Sequence, residues 1–420
     1  MRVRLKQGLQ NEAAAANTLV CGWRPAARNR RWKTPVVVLA MAVAIPLCAQ
    51  QSRVYREGDT WVEEITGTMP ASREMRVNTD LGSVQVEGNS PQVTYVIRKR
   101  SFAATEQEAR KQFEQLRIAV VKNAERNFIE GRLRHRKLNR FNAEFVVQVP
   151  RQLETVRVET KGGALSLNSL TATILGATGG GAVKLDDLVG PVKIATGGGA
   201  VDGGNLGADF TLTSGGGDVH INNIAGQAQL TIGGGRVYIG TVKGATVQTG
   251  GGGIEVRKCD GDLRTSTDGG NLNFGDVNGS LRAETGGGSV RLASAQGRVQ
   301  VTTGGGSVEM YNLNQGAQVE TGAGPITVQF VGTHGFTDSS LHTAAGNVTV
   351  LLPSNFQVTV HASSDLITGR GISSEFPGLK ITSSGEYGPK AMYAEGTLNG
   401  GGPMLRVRTT IGQIAFRRSQ

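Results

Sequence analysis

The chain has 420 residues, 61 of them glycine, with 45 basic and 34 acidic residues for a net charge of +11. Eight basic residues and one acid fall in residues 1–49, so that segment carries +7 and the remainder only +4, too little to argue for a nucleic-acid partner. Three cysteines, two of them in those first 49 residues, exclude a disulfide framework.

Residues 1–49 read as an export signal. Arg2, Arg4, Lys6, Arg24, Arg28, Arg30, Arg31 and Lys33 precede the apolar stretch 35–47, and Leu47-Cys48-Ala49 resembles a cleavage site before Gln50. The apolar run is short for a membrane span, so cleavage is the expectation and retention as an anchor through residues 35–49 the alternative. Cys48 invites lipidation, but Leu47 stands where a small residue is needed. The expected location is the periplasm or the cell surface.

Residues 50–160 follow no fixed period. Strand-like runs at 83–87, 93–98, 116–121, 128–134 and 144–149 surround a capping box, Thr105-Glu106-Gln107-Glu108, from which Ala109, Phe113 and Leu116 continue one apolar helical face. This pattern predicts a strand-rich N-terminal cap whose one short helix covers the first coil of the segment beginning at residue 161. Between Arg98 and Arg140 lie thirteen basic residues against five acids, a local +8, while the rest of the chain after residue 49 sums to about −4. Arg132, Arg134 and Arg136 alternate and are expected on one strand face. With Arg98, Lys99, Arg100, Lys137 and Arg140 they form a candidate patch for an anionic envelope polymer, lipid headgroups or another envelope protein. A solvated cap surface would have the same composition.

From 161 to 331 the chain repeats. Gly163-Ala164, Gly181-Ala182, Gly199-Ala200, Gly217-Asp218 and Gly235-Arg236 are 18 residues apart, as are Gly252-Gly253, Gly270-Asn271, Gly288-Ser289, Gly306-Ser307 and Gly324-Pro325; a single 17-residue step joins the two series. Within each repeat, apolar and polar residues alternate twice, at 183–185 and 192–196 for example, with turn residues between. Stacking the repeats gives unbroken apolar columns, one running from Leu165 through Val183, Val201 and Val219 to Ile326, another from Ile174 through Val192 and Phe210 to Ala317. The period predicts an all-β fold, a two-sheet parallel β-solenoid of about ten 18-residue coils. At roughly 4.8 Å per stacked strand, ten coils make a rod about 48 Å long. Glycine is expected at the corners for its tolerance of φ > 0. A threonine column (Thr178, Thr196, Thr249, Thr267, Thr285, Thr303, Thr321, with Ser214, broken by Ile232) falls on the inward side of the alternation. That favours corner packing with hydroxyl-to-backbone hydrogen bonds over an ice-binding face. Cys259 falls in an apolar turn column with Leu188, Leu206, Ile224, Val242 and Val277 and reads as a small buried hydrophobe.

Beyond Val328 the spacing breaks, and residues 332–420 read as irregular coils and closing strands. Residues 371–380 and 383–389 look like loops; 405–409 and 413–417 are the expected closing strands.

Taken together, the chain resembles the putative-adhesin family of bacterial envelope proteins. The resemblance rests on the coils Gly217-Asp218-Val219-His220-Ile221 and Gly288-Ser289-Val290-Arg291-Leu292, on the later run Gly346-Asn347-Val348-Thr349-Val350-Leu351-Leu352-Pro353, and on an ending from Gly400-Gly401-Gly402-Pro403 to Gly412-Gln413-Ile414. It covers roughly residues 66–418, and the order and spacing of the motifs carry it. It implies a Gly-rich solenoid in the envelope and transfers no catalytic residues.

Catalytic signatures are nearly absent: there is no Gly-x-Ser-x-Gly elbow, His-Glu-x-x-His helix, phosphate loop or dinucleotide fingerprint. The five histidines are scattered; His334 and His342 could approach, without a third ligand. No metal or cofactor is expected. Asp186-Asp187 is an isolated turn pair, unlike the acid in every turn of a calcium-binding roll. The sequence reading is a non-enzymatic exported protein, an adhesin-like scaffold or binding module. A polysaccharide-active β-helix enzyme and an envelope-stress sensor acting through protein contacts remain alternatives at this point.

Overall fold

The computed structural model describes residues 50–123, 125–134, 140–332, 335–384 and 391–419, so the leader read at 1–49 lies outside it. Alternation of apolar and polar residues yields the strands it should. In one coil, Val183–Leu188 buries Val183, Leu185 and Leu188, and Val192–Thr196 buries Val192, Ile194 and Thr196, while the residues between them face outward. Each strand pairs in parallel with its counterpart 18 residues on, Val183 with Val201 and Val192 with Phe210. The column from Leu165 to Ile326 holds this register throughout and continues to Val348. The result is the two-sheet parallel solenoid with one continuous core. Each fully buried Val, Leu or Ile contributes about 1.5–3 kcal/mol, so contact between successive coils is the main cohesive term. The 17-residue step is absorbed away from the glycine triplets of the corners: the register shifts between Ile224 and Gln227, and Gln227 pairs with Gly244.

The threonine column points inward and closes the corners. Thr285 Oγ1 donates to the Gly270 carbonyl one coil earlier (2.9 Å) and accepts the Gly288 N–H of its own corner (3.1 Å). The same two bonds recur at Thr178, Thr267 and Thr303. They satisfy backbone groups that a buried corner would otherwise leave unpaired.

Left-handed backbone, the expected reason for the corner glycines, accounts for few of them. Within the triplets of the repeat it occurs at Gly217 (φ 89°), Gly235 (110°) and Gly324 (142°); the first two come after Ser214 and Ile232, the positions where threonine is missing from the column. Elsewhere crowding is the cause. A Cβ on Gly179 or Gly181 would come within 3.0 Å of the backbone of Lys161 or Gly163 in the preceding coil, and Gly197, Gly199, Gly286 and Gly288 are equally confined. The middle glycine differs: at Gly180, Gly198, Gly234, Gly251, Gly269, Gly287 and Gly305 a Cβ would meet nothing within 4 Å.

Parallel stacking starts earlier than the period does. The first strands are β1 (Gln51–Glu57), β2 (Thr60–Met69), β3 (Glu74–Thr79), β4 (Ser83–Glu87) and β5 (Val93–Ser101). Helix α1 (Glu106–Phe113) comes next, then β6 (Leu116–Val121), β7 (Arg126–Leu133), β8 (Phe141–Gln148) and β9 (Gln152–Thr160). β3 stacks on β9 and β4 on Leu165–Asn168, while β7 and β8 stack on their other sides. The chain thus steps past the β3–β4 rung and returns. Beyond β8, strands β5, β2 and β1 extend one sheet antiparallel, and β6 ends the other against β7. Thr105 caps α1, its hydroxyl accepting the Glu108 N–H at 3.3 Å, and the helix buries Ala109 and Phe113. The helical face expected to reach Leu116 stops at Phe113; Leu116 opens β6 and is buried there.

The far end repeats this leapfrog. Residues 405–409 and 413–417 belong to one strand, Met404–Arg418, which lies between the rung Ser339–Ala345/Val348–Leu352 and the strand Val358–Ser374. They are therefore not the terminal strands; Ala391–Leu398 and Lys380–Ser384 lie beyond, antiparallel. Residues 371–374, read as loop, are strand, with Ile372 paired to Ile414. One inward apolar residue in four is too little for alternation to show.

Candidate functional site

The sequence-predicted cations fall on separate surfaces of the cap. Alternation along β5 sends Arg98 and Arg100 outward and Lys99 inward. Across β1, β2, β5 and β8 the register aligns Arg53, Glu64, Arg98 and Glu144. Arg98 Nε lies 3.0 Å and Arg53 2.7 Å from the Glu64 carboxylate, and Arg100 lies 3.3 Å from Glu144. The Arg98 hydrogen bond, with Arg53 adding to it against the desolvation of burial, holds the Glu64 carboxyl below the usual glutamate range. Lys99 is buried with its Nζ 2.8 Å from Glu63, close without the alignment of a hydrogen bond, and it donates to the Phe113 carbonyl at the end of α1. Arg132 pairs with Glu130 at 2.6 Å, and Arg140 sits over the Phe102 ring at 5.8 Å. Arg136 and Lys137 lie outside the described residues. Arg134, just past the end of β7, donates its backbone N–H to Gln115 and makes no ion pair among the described residues.

One grouping was hidden in the sequence. The β6–β7 hairpin sets Arg117 directly opposite Arg132, and both are exposed. Residues directly opposite in an antiparallel pair share a face, and like charges so placed destabilise. Glu130 compensates Arg132; Arg117 has no ion-pair partner among the described residues. The register of the hairpin joining 116–121 to 126–133 was the signal that would have found it.

Beside this face, between α1, β1, β2 and β6, a cleft of about 460 Å³ opens on the end of the core. Ile65, Phe113 and Leu116 form its buried floor, with Val54 and Ile118 half-buried beside them. Lys99, Arg110, Arg117 and Arg134 line it against two carboxylates, Glu63 and Glu114. Lys99 is occupied by Glu63 and Arg110 by Glu106, which leaves Arg117, Arg134 and the single carboxylate Glu114 without ion pairs among the described residues, an excess of one positive charge.

Several other titratable groups have structural partners. Burial raises Asp80, but Lys161 at 2.6 Å and the Leu133 N–H at 3.0 Å outweigh it and hold its carboxyl below the ordinary range. Burial pushes the Cys259 thiol up, and its Sγ lies against the Gly261 carbonyl. Asp187 pairs with Arg151 at 2.8 Å. His220 stacks on Tyr238 at 4.5 Å, and His361 lies 3.5 Å from Glu395; His135 and His334 are outside the described residues. Among the described residues no three side chains converge as metal ligands, and no helix is long and apolar enough to cross a membrane.

A family model described as Toastrack DUF4097 matches residues 72–297. No curated protein matches the chain. Solved structures similar to it include a putative adhesin from Parabacteroides merdae, 11% identical, covering 70% of this chain and 97% of that one with a TM-score of 0.24. A putative adhesin from Parabacteroides distasonis is 12% identical over 69% of this chain and 96% of that one, with a TM-score of 0.22. A putative cell adhesion protein from Clostridium sporogenes is 9% identical over 89% of this chain and all of that one, with a TM-score of 0.16. Overlays this loose carry no argument about what the chain does.

Proposed function

The chain belongs to the Toastrack DUF4097 family, and we propose that it works as a non-enzymatic scaffold of the bacterial envelope, an exported adhesin-like rod whose cap end makes the first contact with anionic envelope material. The observation that carries this reading is the division of labour along the rod. The repeat spends its inward residues on one uninterrupted core and its corners on threonine bonds. Its outward column changes type at every coil, from Lys184 to Asp202, His220, Tyr238 and Glu255, which suits a spacer better than a periodic ligand array. Excess positive charge collects between residues 98 and 140 of the sequence, and the described residues of that segment belong to the cap.

Export is inferred from the leader 1–49, with the mature chain starting near Gln50 in the periplasm or at the surface. Fractionating a native host and sequencing the N-terminus of the recovered protein tests this. Recovery from the envelope with an N-terminus near Gln50 is the expected result; an intact membrane-bound form means an anchor, and an intact form in the soluble cytoplasm overturns the reading.

A further inference from the structure

We infer that the cleft between α1, β1, β2 and β6 binds a lipid with an anionic headgroup, its phosphate on Arg117 and Arg134 and its acyl chain against Val54 and Ile118, above the buried floor of Ile65, Phe113 and Leu116. The inference rests on the reading that the cap end meets anionic envelope material, and it names the site and the class of molecule.

Three observations converge on it. First, the floor is core. Ile65, Phe113 and Leu116 close it at no more than 5% exposure, and the half-buried Val54 and Ile118 leave apolar surface open above them because α1 supplies only Ala109 and Phe113 to close the end of the two-sheet sandwich. A volume of about 460 Å³ lies within the range of roughly 300–1,000 Å³ usual for small-ligand sites. Second, two of the cations at the cleft have no ion-pair partner among the described residues. Most cap cations are matched to a carboxylate, as Arg98, Lys99, Arg100 and Arg132 are. Arg117 is instead set opposite another arginine, which costs stability, and Arg134 stands at the mouth without an ion pair among the described residues. Two guanidinium forks match a phosphate in geometry and charge. Third, the arrangement is wrong for a long polyanion. Such a polymer needs cations in an extended row, whereas ion pairs interrupt the cap's cations and the two at this cleft without an ion pair among the described residues adjoin apolar surface. An amphiphile uses both features at once.

The test titrates the full chain with dodecyl phosphate below its micellar concentration, alongside inorganic phosphate, dodecyl maltoside and dextran sulfate. The expected result is one-to-one binding of dodecyl phosphate, at least about tenfold tighter than either inorganic phosphate or dodecyl maltoside, the scale of one charge-assisted hydrogen bond. The double variant Arg117→Ser/Arg134→Ser should lose about tenfold or more while its melting temperature holds or rises. Val54→Trp, which fills the cleft from a half-buried position on the edge strand β1, should weaken dodecyl phosphate without affecting dextran sulfate. Equal binding of dodecyl maltoside, or unchanged affinity in the arginine variant, overturns the proposal. Binding of dextran sulfate without dodecyl phosphate also overturns it but leaves the anionic-contact reading of the cap standing; binding of neither removes both.

Discussion

Alanine at the three positions of one glycine corner should give opposite results, and the pair Gly180→Ala and Gly181→Ala makes the comparison. A Cβ on Gly181 would press on the backbone of Gly163 and Ala164 in the preceding coil, within 3.0 Å of three atoms. The coils cannot separate to relieve it, because the Leu165 N–H is bonded to the Ala182 carbonyl at 2.9 Å beside the contact. Overpacking of this kind costs about 1–3 kcal/mol and a strained ladder bond about 1 more, so a loss of about 2–4 kcal/mol is expected. Gly180 has neither neighbour within 4 Å nor left-handed backbone. Alanine there removes freedom only from the unfolded chain and should stabilise by about 0.4–1 kcal/mol. Urea unfolding of both variants, monitored by far-ultraviolet circular dichroism, measures the difference. Similar losses from both substitutions, or a loss above about 1 kcal/mol from Gly180→Ala, would refute the claim that stacked-backbone crowding sets the outer glycines and that nothing in the fold sets the middle one.

Thr285→Val keeps the shape of the side chain but strands the Gly270 carbonyl and the Gly288 N–H, so it should cost about 1–3 kcal/mol in the same assay; a neutral result would mean water or a relaxed corner replaces the hydroxyl. Val219→Asp places an unpaired charge in the inward column and should be severely destabilising, whereas His220→Gln, one residue on and exposed, should stay within about 0.5 kcal/mol; equal damage would put the strand faces the wrong way round. Glu64 and Asp80 have lowered values in the folded chain, so their stabilisation is complete above the ordinary carboxylate range and fades as pH falls below about 4 through the depressed values. Trp61 on β2 is the one tryptophan after residue 49, and its fluorescence should report an acid loosening of the cap that is smaller in Glu64→Gln; equal acid sensitivity would show that the Arg53–Glu64–Arg98 row does not couple to pH.

Period and alternation made the rod readable before any coordinates. Each inward column is set by neighbours 18 residues away, so Val219 and Ile254 could be placed on one core face from spacing alone. Thr285 could be turned inward by the alternation that also places Leu281 and Ala283. The ends were less legible because their pairing is not sequential. No local pattern says that β3 lies between β9 and β7 and β4 between Leu165–Asn168 and β8, or that Met404–Arg418 inserts ahead of Val358–Ser374. The charge count found the cap but not its pairing. Register across β2 and β5 brings Glu64 to Arg98, alternation along β7 puts Glu130 on the face of Arg132, and Arg117 is one basic residue among thirteen until the hairpin sets it against Arg132. The glycines mislead for a simpler reason, since turn residues are read through φ whereas contact between stacked backbones leaves no mark in a single repeat.

The most direct test of the central claim, a rod whose cap end meets anionic envelope material, is sedimentation of the full chain with vesicles of phosphatidylglycerol and phosphatidylcholine across a salt series. The account predicts binding that needs the anionic lipid, weakens steeply as the screening length shrinks below roughly 8 Å, and falls in Arg117→Ser/Arg134→Ser at unchanged melting temperature. Binding that ignores salt and lipid charge, or a double variant that sediments like the parent chain, would contradict it.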